Sequence, residues 1–139
     1  GKISGSLGFP SGMRPAMKVC AVNIVSNETI CTEEYKANPC DEGGCTEDVI
    51  ESSDEYSLTL APGTYIVYSE ITDSGSEFYK VRGYYSYYSY CISSQETKAD
   101  PSLCLEEHTP TDGTHYDVVE LTVEAGEIIE DIMPSDWEI

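Results

Sequence analysis

The sequence predicts an all-β protein, an antiparallel β-sandwich of about seven strands. Apolar and polar residues alternate in several short segments, among them MKVCAVNI from Met17 and VVELTVEAGEIIEDI from Val118. β-branched and aromatic residues dominate these segments, as is typical of strands. No stretch of a dozen residues has the three-and-four spacing of an amphipathic helix. We therefore expect residues 1–139 to form a single β-sandwich domain.

Alternation assigns residues to the two faces of each predicted strand, because successive side chains of a strand point to opposite sides of the sheet. Pro62 and Gly63 form a turn between two of these strands, and a second turn is predicted at 124–126. Residues 36–54 and 95–115 are predicted to be loops. The sets that share a face are Met17, Val19, Ala21 and Asn23; Tyr56, Leu58 and Leu60; Tyr65, Val67 and Ser69; Val119, Leu121 and Val123; and Ile128, Glu130 and Ile132.

The chain is strongly acidic, with 26 Asp and Glu against 7 Lys and Arg and a formal net charge of -19. A nucleic-acid-binding protein needs a basic surface to neutralise phosphates, so the charge argues against that class. Anionic membrane surfaces are disfavoured for the same reason. No apolar run reaches the length of a membrane span, so no membrane insertion is predicted.

Six cysteines allow fifteen pairings, and spacing favours three local bridges. Cys40 and Cys45 flank a tight loop with two glycines, and Cys91 and Cys104 flank a longer one. Cys20 and Cys31 face each other across a predicted hairpin. Zinc is the alternative, but paired cysteines in two knuckles are absent. Disulfides require an oxidising compartment, which predicts an extracellular or cell-surface protein.

Several strand motifs resemble the carboxypeptidase-regulatory-like, or transthyretin-like (prealbumin-like), β-sandwich. The similar residues are Gly1, Ile3 and Gly5 in the opening strand, Leu60, Gly63 and Tyr65 in the middle turn, and Val123 to Glu127 in the last hairpin. The resemblance implies an immunoglobulin-like sandwich and a non-catalytic module of a secreted or surface protein. The chain departs from this pattern in the insert at 40–45 and in the loop at 92–115.

Catalysis has weak candidates in this sequence. Both histidines, His108 and His115, lie in the long predicted loop, and no Gly-x-Ser-x-Gly elbow is present. Because the chain has 26 carboxylates, any pair of them is uninformative about glycoside hydrolysis. The sequence therefore predicts that this protein is not an enzyme.

Calcium is the one cofactor that the sequence suggests, since hard cations bind several loop oxygens. The preferred ligands lie in CDEGGCTED and are Asp41, Glu42, Glu47 and Asp48. TDSGSE is a second candidate, with Asp73 and Glu77, but it also matches an ordinary turn. No other cofactor is predicted.

Asn27, Glu28 and Thr29 form an Asn-x-Thr acceptor at the tip of a predicted hairpin, which predicts glycosylation of Asn27. The alternative is a turn asparagine that adopts a left-handed backbone.

Five of the eleven tyrosines lie in GYYSYYSYC, residues 83–91, which we call the tyrosine segment. As a strand it would place Tyr84, Ser86, Tyr88 and Tyr90 on one face, and Tyr85, Tyr87, Ser89 and Cys91 on the other. Both faces would then be aromatic, which favours an interface. The alternatives are a strand with cross-strand aromatic pairs and a redox relay. The predicted interface residues are Tyr84, Tyr85, Tyr87, Tyr88 and Tyr90.

These observations predict a secreted, non-enzymatic association module, a subunit of an extracellular filament, pilus or surface layer. Its partners would be further copies of itself or other surface proteins, bound through the tyrosine segment and open sheet edges. The first strand, 2–7, and the acidic tail after Met133 are also expected to extend into a neighbour. The alternative is a calcium- or carbohydrate-binding adhesion module of a larger cell-surface protein, with a glycan as partner.

Overall fold

The computed structural model describes residues 1–7, 9, 15–36, 55–93, 104–106 and 116–137. These residues contain nine strands, one short helix and a second helical turn at 104–106, so the prediction of an all-β fold is confirmed. The elements are β1 (Lys2–Ser6), β2 (Met17–Asn23), β3 (Thr29–Cys31), β4 (Glu55–Thr59), β5 (Gly63–Ile71), β6 (Arg82–Tyr84), α1 (Tyr87–Ser93), β7 (Leu121–Val123), β8 (Ile128–Ile129) and β9 (Asp136–Trp137).

The strands form two sheets. The smaller sheet has the order β4-β1-β8, and the larger has the order β3-β2-β5-β6-β9, with β7 also paired to β5. Strand β5 is the longest, and it pairs with β2 along one edge and with β6 and β7 along the other. All of these pairs are antiparallel except β1 with β8, which is parallel. That pair departs from the antiparallel arrangement predicted from the sequence.

The two sheets share one apolar cluster, and the predicted faces of β2, β4 and β5 supply most of it. Ile3 of β1 is fully buried within the same cluster. The alternation is visible in β4, where exposed and buried residues follow each other without exception. The buried members of the predicted faces are Met17, Val19, Ala21, Tyr56, Leu58, Leu60, Tyr65, Val67, Ser69 and Val123.

The prediction that Ile128, Glu130 and Ile132 share one face of a strand is wrong. Ile128 is 63% exposed whereas Ile132 is 4% exposed. The physical reason is Asp131, whose φ of 61° is left-handed and interrupts the extended alternation. Ile132 then docks on β1, where its N–H donates to the carbonyl of Ser4 at 3.0 Å and its carbonyl accepts from the Tyr56 hydroxyl.

Within the described residues both ends of the chain pair inside the molecule, and their extension into a neighbour stays a prediction. Strand β1 is the middle strand of its sheet, so both of its edges already bear a partner. Strand β9 pairs with β6, and Trp137 packs against the core. Strand β1, with both edges paired, has no edge left to add to another sheet, whereas β9 is the last strand in the order of its sheet.

Gly5 provides a test of the contact between β1 and the chain at Ile132. A Cβ at Gly5 would lie 2.1 Å from the carbonyl oxygen of Ile132, a backbone atom that cannot turn aside. We expect Gly5→Ala to lower the free energy of unfolding by about 1–3 kcal/mol in a urea titration. The matched control is Gly75→Ala, because its Cβ would meet only Asp73 Oδ1, at 3.4 Å. Equal stability of the two variants would contradict this account.

Candidate association surface

The tyrosine segment begins as a strand and ends as a helix, so the prediction of a continuous strand is wrong. Strand β6 ends at Tyr84, and α1 begins at Tyr87. Ser86 caps the helix: its Oγ accepts from Tyr88 N at 3.2 Å, and its carbonyl accepts from Tyr90 N at 2.9 Å. Serine is a strong N-cap because its side chain satisfies an N–H that the first turn leaves unpaired. Tyrosine favours strands, and this preference led to the prediction of a strand although Ser86 can cap a helix.

The serines of the tyrosine segment are buried, and they anchor it. Ser86 Oγ donates to Asp136 Oδ2 at 2.7 Å, and Ser89 Oγ donates to the carbonyl of Tyr84 at 3.1 Å. Ser135 bonds Ser89 Oγ through its N–H at 3.3 Å and its hydroxyl at 3.1 Å. Ser86 and Ser89 are three residues apart and share one side of the helical turn. The helix therefore packs through its serine side.

Two of the three bridges favoured by spacing lie among the described residues, and both are present. Cys91 bonds Cys104 and ties α1 to the helical turn at 104–106, and Cys91 is fully buried. Cys20 bonds Cys31 across the β2–β3 pair, with the two residues directly opposite each other. The tyrosine segment is thus held by a disulfide as well as by hydrogen bonds.

Tyr85 is a core residue and is not available to a partner. Its side chain is only 4% exposed, and its backbone bonds both β5, at Val67, and Val119. Burial raises the pKa of the Tyr85 phenol to about 12. Of the five tyrosines predicted to form an interface, Tyr85 is therefore part of the core, and Tyr90 packs against the same core.

The other four predicted interface tyrosines are half-buried, and each has an aromatic neighbour. The ring of Tyr84 lies 5.6 Å from that of Tyr68, and the ring of Tyr88 lies 5.8 Å from that of Tyr116, measured between centroids. The rings of Tyr87 and Tyr90 meet edge-on at 6.3 Å. Such pairs fix the orientation of each ring.

Tyr84 belongs to a group of five side chains on the outward face of β2, β5 and β6, which we call the outward cluster. The cross-strand register places Tyr68 opposite Tyr84, and Glu70 opposite both Lys18 and Arg82. Sequence alternation places Lys18, Tyr68 and Glu70 on outward faces, but no single-strand pattern shows which residues become neighbours. The outward cluster was therefore missed.

Glu70 joins the two cations of the outward cluster. Its Oε1 lies 3.1 Å from Arg82 Nε, and its Oε2 lies 3.5 Å from Lys18 Nζ. The Arg82 guanidinium stands 4.3 Å from the centroid of the Tyr68 ring. A hydrogen bond to Tyr84 is the largest effect raising the pKa of Arg82, while burial raises the pKa of Tyr68. The side chains of Lys18 and Arg82 remain 36% and 42% exposed.

The remaining predicted sites fall into two groups. Asn27 is exposed at the end of the β2–β3 turn with a φ of 61°, which confirms the turn geometry; its glycosylation stays a prediction. Asp73 Oδ1 accepts from Gly75 N at 2.9 Å, as in an ordinary turn. The residues predicted in loops that lie outside the described part of the chain are Cys40, Asp41, Glu42, Cys45, Glu47, Asp48, His108 and His115.

Within the described ranges, no group of three or more His, Cys, Asp or Glu side chains could hold a metal ion. No helix within the described part of the chain has the length and apolar character that a membrane span requires.

Comparison with protein-family models, with curated proteins and with solved structures gives no match for this chain.

Removing the Cys91–Cys104 bridge should release α1. The bridge spans 13 residues, and we expect Cys91→Ser with Cys104→Ser to lower the free energy of unfolding by about 3 kcal/mol. Hydrogen exchange at the Tyr90 amide, which bonds Ser86, should also become faster. The control is Cys20→Ser with Cys31→Ser. It should lower the free energy of unfolding, but the Tyr90 amide should exchange no faster than this change in global unfolding explains. Equal protection of the Tyr90 amide in both double variants would contradict the proposed anchoring.

Buried tyrosines make the fold sensitive to alkali. Above its usual pKa of 10.0 the Tyr85 phenol ionises in the unfolded chain, while the folded chain retains the proton up to about pH 12. The folded state then holds more protons, so stability is fully present below pH 10 and falls as pH rises toward 12. Urea titrations across this range should show a smaller loss for Tyr85→Phe than for wild type. Tyr79→Phe, on an exposed turn, is the control, and an equal benefit from it would contradict the assignment.

Proposed function

We propose that this protein is a secreted, non-enzymatic module that works by association with further copies of itself, as a subunit of an extracellular filament, pilus or surface layer. Two disulfides among the described residues support an oxidising compartment. The proposal excludes catalysis as the main role and does not require a cofactor.

A rigid, half-exposed set of tyrosines is the observation that carries the proposal. The tyrosine segment is anchored by Ser86, Ser89 and the Cys91–Cys104 bridge, while the rings of Tyr84, Tyr87 and Tyr88 remain partly exposed. Association normally loses free energy through the ordering of interface side chains. Side chains that are already ordered lose less, and tyrosine is enriched in the residues that dominate interface energies.

Strand β4 supports a second mode of association, through an open edge. Gly1 and Leu60 exchange both backbone hydrogen bonds, at 3.0 and 2.9 Å, so alternate residues of β4 bond toward β1. The N–H and C=O groups of Ser57 and Thr59 therefore point away from β1. No strand among the described residues pairs with β4 on that side. Such an edge can receive a strand from another copy.

We also propose that the fold is a transthyretin-like β-sandwich. Crowding at the opening motif supports it, since a Cβ at Gly1 would lie 2.2 Å from Val123 Cγ1. The middle motif is supported by Tyr65, whose hydroxyl donates to the carbonyl of Ala61 at 2.7 Å and so braces the turn before β5.

Solution scattering over a concentration series, with electron microscopy of the same samples, tests the proposed association. We expect particles that grow with concentration, and a clear loss of growth in Tyr88→Ser, which removes a half-exposed ring paired with Tyr116. Tyr79→Ser is the matched control, because Tyr79 is 44% exposed but lies on the turn at 77–80. A strictly monomeric wild type at high concentration would overturn the proposal.

A further inference from the structure

Self-association of this chain faces an electrostatic obstacle. Each copy carries a formal charge of -19, so two copies repel at long range. Salt near physiological strength screens exposed charges beyond about 8 Å, which weakens this repulsion without making any contact attractive. A stable contact therefore needs a place where carboxylates of one copy meet cations of the other.

The outward cluster is such a place. It holds two of the chain's seven Lys and Arg residues on one sheet face, with Glu70 between them. Glu70 lies between the two cations, and Asp136 of β9 lies directly opposite Tyr84 on the same face, so positive and negative charges balance here on a chain whose net charge is -19. The side chains of Lys18 and Arg82 are still 36% and 42% exposed, so their remaining N–H groups can reach a further carboxylate. Tyr84 beside them is half-exposed and supplies aromatic contact area, whereas Tyr68 is buried beneath Arg82.

The complementary surface lies in residues 117–131. The last part of this chain contains acids and no Lys or Arg after Lys98. Within 117–131 the acidic residues are all exposed, and they lie around β7 and β8, where β7 pairs with the start of β5 and the outward cluster lies toward its end. They are Asp117, Glu120, Glu124, Glu127, Glu130 and Asp131.

We infer that the outward cluster binds the exposed carboxylates of residues 117–131 of a second copy of this chain. The two surfaces are different, so the contact is head-to-tail, and each copy keeps one free surface of each kind. This arrangement adds copies without closing into a pair. The inference rests on the proposed function and names the surfaces through which the copies meet.

The first test removes negative charge from contact residues and from non-contact residues. Association should weaken in the first case and should not weaken in the second. The triple variant Glu120→Gln, Glu124→Gln and Glu130→Gln should weaken association, because it removes carboxylates that meet Lys18 and Arg82. A control triple variant, Glu28→Gln, Glu33→Gln and Glu77→Gln, removes the same charge from other exposed positions. By lowering general repulsion, it should leave association unchanged or stronger.

The cations are tested in the same way. Arg82→Gln should weaken the association constant about three- to tenfold more than Lys80→Gln, as sedimentation equilibrium would measure. Both variants change the net charge equally, but Lys80 lies over Tyr79 on the turn at 77–80, outside the outward cluster. The difference between the two should shrink as salt is raised, because screening weakens the specific pairs.

The outcomes separate the two proposals. If the wild type does not associate, the proposed function fails. If the wild type associates but the two triple variants behave alike, the inference is overturned while association stands. Equal effects of Arg82→Gln and Lys80→Gln would also overturn it.

Discussion

The register of β5 against its neighbours is the constraint on which the rest of the structure depends. Its inward residues Tyr65, Val67 and Ile71 are almost fully buried, and they fill the centre of the shared core. A shift of one residue would turn this set outward and expose it, so burial fixes the register strongly. The same register then sets which outward residues meet across the sheet. The pairing of Glu70 with both Lys18 and Arg82 is a consequence of core packing.

Helix α1 departs from the usual placement of polar and aromatic residues. Ser86 and Ser89 are fully buried, whereas Tyr87 and Tyr88 are half-exposed. Burying a hydroxyl is tolerated only when it is hydrogen-bonded, and both serines meet that condition through Asp136 and Ser135. The result is a helix that turns its serines inward and leaves its aromatic rings available to a partner.

The sequence allowed the inward faces of β2, β4 and β5 to be predicted, because alternation and burial share a period of two residues. It also allowed two disulfides to be predicted, because each closes a local loop. It did not allow α1 to be predicted, since the β-propensity of five tyrosines outweighed one capping serine at Ser86. Nor did it show the outward cluster, because cross-strand neighbours depend on register, which no single strand encodes. The turn of the chain at Asp131 depends on the positive φ of that one residue, and no pattern in the sequence indicates it.

The strong negative charge and the proposed self-association are compatible when the attractive contacts are few and specific. Repulsion between copies that each carry a charge of -19 disfavours random contacts, because acidic residues outnumber basic ones by 26 to 7. A contact that places carboxylates against Lys18 and Arg82 escapes this penalty, and the half-exposed ring of Tyr84 next to it adds apolar area. Like-charge repulsion then disfavours wrong partners. Electrostatic complementarity contributes more to the specificity of a contact than to its affinity. Under this proposal, the charge makes the chain selective for one orientation of its neighbour.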